Sequence, residues 1–174
     1  MKKITLLRGV MPVSKNKIPK MAYLREILTE AGLSSVQTHI QSGNVICKTG
    51  LSVKKLSQLI HQMIKEKIGA ELAIIVKYQM ELAQTVAENP FGQAYDRSRI
   101  HLVFTNDELH FEKLNELLTQ DFGDEELRGG SQCLYMYLPR EARKKKMNTN
   151  FLEKQLGMTA TMRKLSVISR LSEM

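Results

Sequence analysis

The apolar patterning predicts an α+β protein of two ferredoxin-like halves, each of βαββα type, with antiparallel sheets and flanking helices. Three observations carry this. Residues up to about 78 read strand, helix, strand, strand, helix, strand, which is the order of a ferredoxin-like sheet. The rest of the chain runs through βαββα again, without a residue-by-residue internal repeat. A length of 174 residues with 43% hydrophobic content suits one domain or two small ones, and is neither disordered nor fibrous. The expected division is residues 1–78, a βαββαβ subdomain, and residues 79–174, a second α+β subdomain with C-terminal helices.

Each element has a local reason. Ile4–Leu7 is a short apolar run ended by Arg8-Gly9, a buried strand. A loop with Pro12, Ser14, Asn16 and Pro19 follows. Met21, Leu24, Ile27, Leu28 and Ala31 recur at helical spacing before Gly32. Val36, Thr38 and Ile40 alternate with polar residues, Ser42-Gly43-Asn44 is turn chemistry, and Val45–Cys47 resumes a strand, together a hairpin. Ser52 caps a helix whose apolar stripe is Val53, Leu56, Leu59, Ile60, Met63, Ile64 and Ile68, closed by Gly69. Leu72–Val76 is the last strand of the first half.

The second half opens with a helix over 80–88, stopped by Asn89-Pro90. Ile100–Thr105 is a strand, and 107–118 an acidic helix with Phe111, Leu114 and Leu118 inward. Gly129-Gly130 turns a hairpin. Asn150-x-x-Glu153 reads as a capping box for a helix ending near Gly157, and a last helix is expected over 161–171.

Charge is uneven. The net formal charge is +8. Residues 1–20 hold six basic residues and no acid, and residues 140–174 hold nine basic and three acidic ones. Residues 105–127 carry eight acids and one Lys. Such asymmetry points to an anionic partner, with solvated charge as the plain alternative. No apolar run approaches the roughly 18 residues of a membrane span, so no membrane partner is expected and the cytoplasm is the default location. Cys47 and Cys133 are far apart with no Cys/His cluster, which speaks against zinc and for buried free thiols.

The candidate site starts at the end of the first strand. Arg8, Gly9, Lys15, Asn16 and Lys17 occupy a loop that feeds a helix N-terminus, where free N–H groups and partial positive charge favour anions. Gln41, Ser42 and Asn44 surround the hairpin turn and form a second candidate group, with a plain turn as the alternative. Arg163 is a further anion ligand or an internal partner for the acidic middle. The run Arg140–Lys146 is either a phosphate-contacting segment or a loop before a helix. Catalytic chemistry is not legible: His39, His61, His101 and His110 have no evident nucleophile and orienter, and His39 and Ser42 differ in strand parity. Asp121, Asp124, Glu125 and Glu126 read as a solvated acidic loop and not as a metal site. No cofactor is assigned.

Several short motifs occur in order: LLRG (6–9), KNK (15–17), MAYLREILTEAG (21–32), IQSGNVI (40–46), NPF (89–91), TNFLEKQLG (149–157) and AT-x-R (160–163). Over essentially the whole chain this set resembles a widespread family of bacterial hypothetical proteins, catalogued as a domain of unknown function. The resemblance implies two ferredoxin-like halves and no known activity. The family's first loop usually reads R-G-I-N-V-G-G-K-N; here Met11 replaces the Asn, and Val13 and Ser14 replace the paired glycines. Lys164-Leu165 stands where the family continues N-W, and His39 where it tends to have Tyr.

The expected function is binding of an anionic small molecule or nucleic acid through the basic loop. The alternatives are an enzyme acting on a small phosphorylated or nucleotide-like substrate, and a self-assembling protein using Tyr135–Tyr137 as an edge or interface. A sheet face that reads RNA needs exposed stacking aromatics, and the ITLL and NVIC strands have none. The sequence leaves the oligomeric state open.

Overall fold

Ile4 to Leu7 are buried in β1 (Lys2–Arg8), the strand that organises the first unit in a computed structural model describing residues 1–41 and 43–174. β1 pairs antiparallel with β3 (Asn44–Lys48) and with β4 (Ala73–Tyr78). β2 (Ser34–His39) pairs with β3, so the sheet runs β2-β3-β1-β4. Helices α1 (Met21–Glu30) and α2 (Val53–Lys67) place Leu24, Ile27, Leu28, Leu56, Ile60 and Ile64 in one core with Leu7, Val45, Ile74 and Val76. Ile4, Leu6, Ile46 and Ile75, of opposite strand parity, are buried as well. The central strands are therefore covered on both faces. The Ser52 hydroxyl accepts a hydrogen bond from Lys55 N at 3.2 Å and caps α2.

The chain divides into two units, Met1–Gln79 with Met174, and Met80–Glu173. After α3 (Gln79–Ala87) and a single 3-10 turn (Arg97–Arg99), the second unit runs β5 (Ile100–Thr105), α4 (Phe111–Leu118), β6 (Glu126–Gly129), β7 (Leu134–Tyr137), α5 (Thr149–Leu156), β8 (Ala160–Lys164) and α6 (Leu165–Glu173). Its sheet, β6-β7-β5-β8, has the connectivity and order of the first. The protein is thus α+β, two four-stranded antiparallel sheets with flanking helices.

Four expectations change. Residues 160–164 are a strand, not the start of the last helix: β8 pairs with β5 from Thr105↔Ala160 to His101↔Lys164. A buried β5 needs that partner for its backbone groups. Five residues show too little alternation to stand out from the helical stripe Leu165, Ile168, Leu171 that follows at once. Helix α4 starts at Phe111, so Leu114 and Leu117 face inward and Phe111 is 74% exposed. The cap of α5 is Asn148, whose Oδ1 accepts from Phe151 N at 2.8 Å. Finally, β7 is an internal strand with Tyr135 and Met136 buried, and the Tyr135 hydroxyl donates to Thr85 O at 2.6 Å. Tyr135–Tyr137 lie inside the sheet and offer no free strand edge.

Candidate anion-binding site

The loop between β1 and α1 is tied to itself and to its surroundings. Met11 N donates to Asn16 O at 3.2 Å and Lys17 N to Ser14 O at 3.2 Å. Asn16 Oδ1 accepts from Glu71 N at 3.1 Å, fixing the loop to the segment before β4. Asn16 is therefore a tether. Arg8 is half-buried at the end of β1, and Gly9 has a φ of +98° that suits glycine. Lys15, Lys17 and Lys20 are exposed and have no ion-pair partner among the described residues. Lys20 is the N-cap of α1 and gives no side-chain cap, and the first turn carries no acid, so its N–H groups and positive dipole end are not neutralised by a side chain there.

The one acid tethered beside this loop is engaged elsewhere. Glu71 lies 3.2 Å from Lys65 Nζ and 3.2 Å from His61 Nε2. The hydrogen bond from Lys65 holds its carboxyl below the usual carboxylate range. Lys3 leaves the basic surface altogether: it is 4% exposed, donates to Thr49 O at 3.0 Å, and sits over the Tyr78 ring.

A cleft of about 420 Å³ opens on the loop, lined by Val10, Met11, Pro12, Lys17, Ile18 and Gln41. Gln41 reaches it from the β2–β3 turn, and its Nε2 donates to Ile18 O at 3.3 Å. Thus two stretches some 23 residues apart meet at one cleft. Neither that contact nor the Glu71–Asn16 tether leaves any periodic or motif signal in the sequence.

Gly43 holds the turn in place. Its φ is +88°, its O accepts from Leu7 N at 2.9 Å, and a Cβ there would stand 2.9 Å from Leu7 Cβ and 3.0 Å from Val10 Cγ2. Asn44 is buried, and its Nδ2 donates to His39 O at 3.0 Å, closing the turn. Ser42, with any pairing to His39, lies outside the described residues.

The remaining candidates lie in the second unit. Arg163 is buried on β8; its Nη1 donates to Thr161 Oγ1 at 2.6 Å and to Met162 O at 2.9 Å. The basic run meets the acidic loop. Asp124 Oδ2 accepts from Arg143 N, and Glu125 Oε1 accepts from Lys146 N at 2.7 Å and Met147 N at 2.9 Å. Glu125 is 4% exposed, which corrects the expectation of a wholly solvated loop. Cys47 and Cys133 are both free and buried, and burial pushes the Cys47 thiol up, away from reactivity.

Residues 1–135 match the model of a family described as protein of unknown function, DUF1697. Among solved structures the chain is similar to the conserved bacterial protein SP0830 from Streptococcus pneumoniae, at 18% identity and a TM-score of 0.73. That likeness covers 99% of this chain and 97% of the other, and speaks for the fold alone. No curated protein matches the chain. Among the described residues, no helix is long and apolar enough to cross a membrane.

Proposed function

Because this chain belongs to DUF1697, a family of proteins of unknown function, its activity has to be read from its own residues, and we propose that it binds a small phosphate-bearing anion at the loop after β1. The observation that carries this is that Lys15, Lys17 and Lys20, exposed and without ion-pair partners among the described residues, stand in the loop that leads into the N-terminus of α1, which has no side-chain cap. Like charges repel, and an anion relieves that repulsion while taking the helix N–H groups. Arg8 and Gly9 supply the strand end from which the loop departs, and Gln41 borders the cleft. A cleft of about 420 Å³ is within the range of small-molecule sites. Two buried free thiols fit a cytoplasmic protein.

A ligand that binds only the folded state raises the melting temperature with concentration. Inorganic phosphate and pyrophosphate should do so for the native chain. The triple variant Lys15→Ala/Lys17→Ala/Lys20→Ala, folded by circular dichroism, should lose the shift. An equal shift in the variant would put the anion elsewhere.

A further inference from the structure

We infer that the ligand of this cleft is an amphiphilic anion, an anionic head on a short apolar body; this rests on the anion-binding reading above and names its ligand class. Of the six described residues that line it, Val10, Met11, Pro12 and Ile18 are apolar, and Lys17 is the only charged one among them. The Gln41 amide nitrogen is already used by Ile18 O. A bare phosphate would meet Lys17 and leave the apolar wall wet. The wall removes apolar surface from water only if the ligand brings some.

The surroundings agree. Met11 is 50% exposed, Val13 69% and Ile40 48%. Single exposed apolar residues need no explanation, but these three stand on the two loops that meet at the cleft. Ile40 is also held at a φ of +54°, and Ser14 in the facing loop at +90°. A β-branched residue in the left-handed region is strained, and such strain gathers where a surface has a task. Charge complementarity sets the sign of the head: Lys15, Lys17 and Lys20 are exposed on this loop, and residues 1–20 contain no acid. The same residues contain no aromatic ring, so a nucleobase has nothing in this loop to stack on.

The test is calorimetry on the full chain with inorganic phosphate, then butyl, hexyl and octyl phosphate below their micelle concentrations. Affinity should rise with the chain, by about two- to four-fold for each methylene that the wall covers. Lys17→Ala should weaken every member of the series. Met11→Ser should flatten the dependence on chain length, bringing the ratio of octyl phosphate affinity to phosphate affinity towards one. Both residues are exposed, so both variants should fold. Phosphate binding with no gain from the alkyl chain would overturn this inference and leave the anion site standing; no binding by any member would overturn both. A chain-length gain that Met11→Ser leaves intact would also overturn it. So would capture by anionic phospholipid vesicles without binding of the monomeric phosphates, which would assign the face to a membrane. Ligand-free dimerisation that Met11→Ser abolishes would assign it to a second copy, and again overturn the inference.

Discussion

His101 shows how one buried group ties stability to pH. It lies on β5, 7% exposed, with Nδ1 3.1 Å from Arg99 O, so that nitrogen carries the proton. Burial depresses its pKa, and the nearby charges of Arg99 and Lys164 push the same way, against the carbonyl hydrogen bond. The unfolded chain therefore binds a proton before the folded one does. Stability from this residue is complete above about pH 6.5, the unfolded value, and is lost as pH falls from there towards the lower folded value. Urea midpoints measured between pH 7.5 and 5 should fall for the native chain, and fall less for His101→Gln. Equal slopes for the two proteins would mean that His101 is not the group responsible. Glu71, Glu88 and Asp96, whose carboxyls sit below their ordinary range, lose their contributions in a more acid window, below about pH 4.5.

Helix termini separate what patterning can reveal from what it cannot. Ser52 and the stripe Leu56, Ile60, Ile64 announce α2 because the cap and the period agree over 15 residues. In α5 the same logic lands two residues late. Asn150-x-x-Glu153 satisfies the capping-box pattern, yet Asn148 makes the cap, and Glu153 Oε2 accepts from Ala160 N at 3.1 Å instead. Two Asn residues flank one Thr, and only backbone conformation chooses between them; Asn148 is the extended one. Asn148→Ala should cost about 1 kcal/mol of unfolding free energy, as Ser52→Ala should in α2. A cost for Asn148→Ala within error of zero would return the cap to another residue. The site follows the same division. Its lysines are legible as a charge run, and Gly43 and Asn44 as turn chemistry. The meeting of Gln41 with Ile18 and the exposed, left-handed Ile40 depend on how the hairpin lies over the loop. No local spacing encodes that.

The charge distribution of the whole chain bears on nucleic acid. A net +8 attracts any polyanion at low salt. Lys3 and Arg163 are buried and withdrawn from phosphates, whereas the run from Arg143 to Lys146 keeps its side chains exposed and gives only backbone N–H groups to Asp124 and Glu125. The central strands of the first sheet are buried on both faces, so stacking of bases there is closed off. Affinity for a polymer then rests on scattered exposed Lys and Arg side chains and the counterions they release, with no base contact to add discrimination. Fluorescence anisotropy with labelled single-stranded RNA and duplex DNA should show weak binding at low salt. It should be lost near physiological ionic strength, about 0.15 M, with no preference between the polymers. Micromolar binding that survives that salt and favours one polymer would put a nucleic acid ahead of a small anion as the ligand. The Lys15, Lys17 and Lys20 variant would then decide whether the loop after β1 holds the strand, because each phosphate contact it loses should lower the salt slope by about one.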